Sequence, residues 1–114
     1  MTIKQDVSEA FDFNGLSIRD YTAGLDEKSS FAVIEVSPGV RHGLSRSNRS
    51  DKYYYVNAGR LTFQIEGRDY EFTKGDFCII HQGETFDYSN DSGVSATLIL
   101  VHTPNFILSE ESFD

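Results

Sequence analysis

Gly75-Asp76-Phe77-Cys78-Ile79-Ile80-His81-Gln82-Gly83-Glu84-Thr85-Phe86-Asp87-Tyr88-Ser89-Asn90 is the stretch that decides the fold. Asp76 to Ile80 reads as an apolar strand. Gln82-Gly83 is a turn signal, and beyond it Phe86 and Tyr88 alternate with polar neighbours, as on a second, half-buried strand. Asn90-Asp91-Ser92-Gly93 then closes the unit with another turn. Working outward, the same period of two recurs at Leu16 and Ile18, Phe31 and Val33, Tyr54 and Val56, Leu61, Phe63 and Ile65, Tyr70 and Phe72, and Leu98 and Leu100. Turn signals separate these runs at Asn14-Gly15, Pro38-Gly39, Ala58-Gly59, Glu66-Gly67 and Lys74-Gly75. No window carries helical spacing long enough for a core helix, and the best candidate, Val7 to Phe11, is a single turn. Short strands with such punctuation predict an all-β sandwich or barrel. The acidic end from Leu108 to Asp114 reads as a frayed or turned tail.

Two glycine-framed patterns make the reading more specific. Gly75, Gly83 and Asn90 fall in the register glycine, five residues, Pro-x-Gly, two residues, His, three residues, Asn, with His81 in the proline slot and Phe86 in the histidine slot. Upstream, Lys52-Tyr53-Tyr54-Tyr55-Val56-Asn57-Ala58-Gly59 has the shape of a strand-turn-strand whose acidic slot, with six residues between it and the glycine, is Lys52. Counting back from there places Asn48 and Arg46 in the two slots of a His-x-His pair. The leading glycine stands one place early, at Gly39.

The chain thus resembles the small single-domain cupins over about Phe31 to Phe106, with all four metal-ligand slots changed, to Arg46, Asn48, Lys52 and Phe86. The resemblance implies a double-stranded β-helix, the cupin jelly-roll barrel, spanning residues 1–114 as one domain, with a ligand site inside the barrel mouth. On that fold, alternation turns Arg46, Asn48, Lys52, Tyr54 and Val56 toward the lumen and Tyr53 and Tyr55 away, while Phe86 and Tyr88 point inward together. Small cupins pair through edge strands, so a homodimer is implied as well.

Composition narrows function by exclusion. The chain has 114 residues and carries 10 basic against 18 acidic side chains, net -8, a field that repels nucleic acid and anionic membrane surfaces. No apolar stretch approaches a membrane span, no secretory leader is visible, and Cys78 is the lone cysteine, so a cytoplasmic location is expected. Between Arg41 and Lys52 four cations face only Asp51, a local +3 that leaves -11 for the remainder. That island predicts an anionic small-molecule ligand, such as a sugar phosphate, sugar nucleotide or organic acid. Arg46 and Lys52 would hold its charge, Asn48 would hydrogen-bond, Tyr54, Phe86 and Tyr88 would wall the pocket, and His42, beside Arg41, would border it.

Guanidinium, ammonium and phenyl groups offer a metal no lone pair, so no metal and no cofactor is expected at the changed slots. Two other readings stand beside binding. A metal-independent carbohydrate isomerase, epimerase or cyclase would need a histidine facing a tyrosine across the lumen, from His42, Tyr54 and Tyr88, with Arg46 close by. A metal-dependent dioxygenase or lyase would need at least two of His42, His81 and His102 to converge. Sequence assigns no catalytic residue.

Overall fold

The computed structural model describes residues Met1–Phe113; Asp114 lies outside them. Eleven strands follow one another: β1 (Ala10–Phe13), β2 (Leu16–Asp20), β3 (Ser30–Val36), β4 (Ser45–Ser47), β5 (Asp51–Ala58), β6 (Arg60–Ile65), β7 (Arg68–Thr73), β8 (Phe77–Ile80), β9 (Phe86–Ser89), β10 (Ala96–Thr103) and β11 (Glu111–Phe113). They form two antiparallel sheets, ordered β1-β2-β3-β10-β5-β8 and β11-β4-β9-β6-β7. The faces of the two sheets enclose the core, which is the all-β jelly-roll barrel the sequence predicts.

Alternation carries the architecture. Strand β10 buries every second residue, Ala96, Leu98, Leu100 and His102, and β5 buries Lys52, Tyr54 and Val56 while Tyr55 stays exposed. The two strands pair directly, Leu98 opposite Val56 and Leu100 opposite Tyr54. Leu16, Ile34, Leu61, Phe63, Ile80, Phe86 and Tyr88 complete a continuous apolar interior, whose removal from water is the main stabilising term of the fold.

The motif residues are structural. Gly59 has φ +80°, and a Cβ there would lie 2.7 to 2.8 Å from Ala96 and the Ser95 carbonyl, so only glycine fits. Asn90 is fully buried; its Nδ2 donates to the Val36 and Val94 carbonyls at 2.8 Å, and its Oδ1 accepts from the Ser92 N–H and hydroxyl. Cys78 packs against the core, and burial pushes its thiol up to about 12, which leaves it unreactive.

Both ends of the chain differ from expectation. The turn anticipated at Val7 to Phe11 is instead a 3-10 turn at Gln5–Val7 followed by strand β1. The acidic tail does make a 3-10 turn, Leu108–Glu110, but then runs on as β11, pairing with β4 as Glu111 opposite Ser47 and Phe113 opposite Ser45. Three residues of pairing cannot announce themselves in a local pattern; their partner lies more than sixty residues upstream.

Candidate functional site

One cavity of about 240 Å3 opens between the sheets. Its walls come from β1 (Phe11, Phe13), β2 and β3 (Ile18, Asp20, Ser30, Ala32, Ile34), the loop before β4 (His42), β5 (Lys52, Tyr54), β9 (Tyr88), β10 (Leu100, His102) and the tail (Phe106, Leu108, Glu111, Phe113). The lining is largely apolar with a few converging polar groups, the usual make-up of a small-molecule pocket.

His42 enters from the segment bridging Gly39 to β4. Its Nδ1 lies 2.8 Å from the Gly43 carbonyl, an oxygen that can only accept, so Nδ1 carries the proton and Nε2 keeps its lone pair. Burial lowers the imidazole pKa, so the ring is neutral at physiological pH. Its ring centroid stands 4.9 Å from Tyr88 and 5.1 Å from Phe86. Tyr54 crosses Tyr88 edge-on at 5.6 Å. Both tyrosines are buried, and burial raises both phenol pKa values, so they remain proton donors. The Tyr88 hydroxyl is buried without a hydrogen-bond partner.

On another wall Lys52, 4% exposed, extends its Nζ to 2.8 Å from His102 Nε2 and 2.5 Å from Glu111 Oε1. Its ammonium also lies 5.5 Å from the centre of the Phe86 ring. Burial lowers the Lys52 pKa, opposed by the Glu111 charge. His102 accepts from Lys52 through Nε2; burial, reinforced by the lysine charge, lowers its pKa to about 3. The other Glu111 oxygen, Oε2, is buried and unpartnered, and the side chain is only 4% exposed.

Of the residues singled out from sequence, His42, Lys52, Tyr54 and Tyr88 line the cavity, and Phe86 is buried directly behind His42 and Lys52. Arg46 and Asn48 do not line it. Both are exposed, and on β4 the inward residues are Ser45 and Ser47. Alternation counted backwards from β5 runs through the turn at Asn48, Arg49 and Ser50, and a turn does not preserve the parity of a strand.

The basic island disperses accordingly. Arg41 pairs with Asp87 on the outer side of β9, Arg49 binds the Asn105 carbonyl and side chain, and Lys52 is neutralised by Glu111. The Asn48 side chain donates to the Ser112 hydroxyl, and its backbone N–H to the Glu110 carbonyl, so it fastens the tail. No pair of cations faces the lumen. His81 lies outside on the surface, near Asp51, so only His42 and His102 share the cavity. Among the described residues no three His, Cys, Asp or Glu side chains group as a metal site, and the Lys52 ammonium stands between His102 and Glu111 where a cation would have to sit. This donor set does not fit a metal centre. Glu111, in the tail that reads from sequence as frayed or turned, lines the cavity without being foreseen there. Its only local signal is an acidic side chain next to apolar tail residues.

Comparison with known proteins places the fold. The family model for the cupin domain matches residues 32–102. An oxalate-binding protein of Thermotoga maritima is 27% identical over 71 residues, 62% of this chain and 59% of that protein, so the chain spans less than two thirds of its relative's length. Among solved structures, Pac13, described as a unique nucleoside dehydratase, superposes with a TM-score of 0.87 at 20% identity, covering 100% of this chain and 90% of the other. Three Streptomyces forms of it, each with one histidine or one tyrosine replaced and each with uridine, superpose with TM-scores of 0.84 to 0.86. A cupin-superfamily sugar phosphate isomerase from Silicibacter pomeroyi gives 0.76 at 18% identity over 90% of this chain and 75% of that one. At such identities these likenesses are likenesses of fold.

Proposed function

From the premise that this chain belongs to the cupin family, we propose that it is a metal-independent acid-base cupin whose cavity takes a small ring compound of nucleoside or sugar type. The observation that carries this reading is the neutral His42, fixed by the Gly43 carbonyl with Nε2 free, beside the buried Tyr88 phenol on the same cavity. An imidazole lone pair and a phenolic proton on one small ligand are the two halves of general base and general acid catalysis. His42 would remove a proton from carbon or oxygen, and Tyr88, or Tyr54 next to it, would protonate a departing hydroxyl or a developing oxyanion. Dehydration, epimerisation and isomerisation share those needs, and none of them requires a metal when an acid protonates the departing hydroxyl, in the first, or the developing oxyanion, in the other two. The nucleoside dehydratase of like fold, solved in histidine- and tyrosine-replaced forms with uridine, supports the choice of ligand class.

Arg46 plays no part in this reading, and an anionic ligand is not favoured because Lys52 is already paired with Glu111. The protein's partner is a second copy of itself: the sheets end on β1 and β8 and on β11 and β7, and Phe77 and Tyr55 are exposed beside the β8 edge.

The test is calorimetric titration with uridine, followed by incubation of nucleosides and pentoses in heavy water with mass analysis for deuterium gain or loss of water. We expect uridine to bind the native protein, and His42→Gln to abolish the isotopic change while binding persists. Absence of uridine binding, or a mass change that survives in His42→Gln, overturns the reading.

A further inference from the structure

Two buried polar atoms on residues that line the cavity lack partners, the Tyr88 hydroxyl and Glu111 Oε2. A buried polar atom left unpaired is costly, the more so on a charged group, and in folded proteins nearly all such atoms are satisfied. Tyr88 belongs to the acid-base pair. Glu111 does not; it approaches from the tail, with Oε1 already held by Lys52. Its Oε2 can only accept. Beside it, the Lys52 ammonium has three N–H donors, of which Glu111 and His102 take two. No group among the described residues takes the third. A carboxylate acceptor and an ammonium donor therefore lie side by side in a site whose other lining is mostly aromatic and aliphatic, with Asp20, Ser30 and His42 as further polar groups.

We infer that Lys52 and Glu111 form a recognition subsite for an uncharged ligand edge that both donates and accepts a hydrogen bond. The inference rests on the cavity being a ligand site, as proposed above, and deepens it by naming what the ligand must present. A carboxylate or phosphate group cannot fill the subsite, because it offers no donor and would meet the Glu111 charge in an apolar surrounding. Two parts of a nucleoside carry the required chemistry. One is the vicinal hydroxyl pair of the ribose, and the other is the imide edge of the pyrimidine ring. Either would supply the donor that Oε2 lacks and take the spare proton of Lys52. His102 completes the arrangement as a positioning residue: by accepting from Lys52 it aims the ammonium, and because it stays neutral it adds no charge.

The experiment compares uridine, 2',3'-dideoxyuridine and 3-methyluridine by titration calorimetry against the native protein and Glu111→Gln, with oxalate as a competitor. One of the two analogues is expected to bind the native protein at least tenfold more weakly than uridine, which identifies the edge that is read. That discrimination should vanish in Glu111→Gln, and oxalate should not displace uridine. Equal binding of all three nucleosides to the native protein, or competition by oxalate, overturns the subsite and leaves the His42 reading intact. Failure of uridine to bind overturns both. The analogue series on the native protein decides the matter even where Glu111→Gln folds poorly.

Discussion

An ammonium held among aromatic rings is costly unless a carboxylate meets it, and Lys52 shows the consequence on both partners. Lys52→Met leaves the Glu111 charge buried and alone and should lower unfolding stability by about 3 to 5 kcal/mol in urea titration, whereas Lys52→Met combined with Glu111→Leu should recover most of that loss. His102 gives a second expectation. Its pKa is about 3 in the fold, lowered first by burial, against about 6.5 in an unfolded chain. A histidine with a lowered folded pKa contributes stability above pH 6.5 and loses it as the pH falls toward 3, and His42, lowered in the same direction, adds to the slope. The melting temperature should therefore drop between pH 6.5 and pH 4, and more gently in His102→Gln, whose amide oxygen can still accept from Lys52. At this scale the sequence was legible wherever a side chain sits on a long strand. Lys52, Tyr54 and Tyr88 could be placed by parity, while Arg46 could not, because a three-residue turn separates it from the strand used to count, and Asn48 could not, because it lies in that turn.

Strands β5, β9 and β10 were readable because each alternates over its own length. Strand β11 was not, since its three residues acquire their meaning only by pairing with β4 and by the hydrogen bonds that Asn48 makes to Glu110 and Ser112. The turn joining β5 to β6 is the most constrained connection. Gly59→Ala would force φ +80° on an L-residue and drive its Cβ into Ala96; a loss of about 2 kcal/mol or more is expected in the same urea assay. Removing Leu108 to Phe113 deletes the Glu111 carboxylate and should weaken uridine binding at least tenfold, measured by calorimetry, even where the barrel itself stays folded by circular dichroism.

For the molecule as a whole, the six-stranded sheet turns an apolar row outward: Phe77 is 53% exposed beside Tyr55 and Tyr53, and Phe31 is exposed across β10. Sedimentation equilibrium should find a dimer, and Phe77→Lys with Tyr55→Lys should yield a monomer with unchanged circular dichroism. The barrel class followed from alternation and glycine spacing because those are set locally. Cavity chemistry depends on which distant segments meet, and no local pattern states that. The Phe13 ring packs 5.5 Å from Phe113, joining segments about a hundred residues apart in the chain at the lip of the cavity. The doorway is thus framed by two rings that only the finished fold brings together, so a fluorophore attached beside either one would sit next to whatever the interior holds.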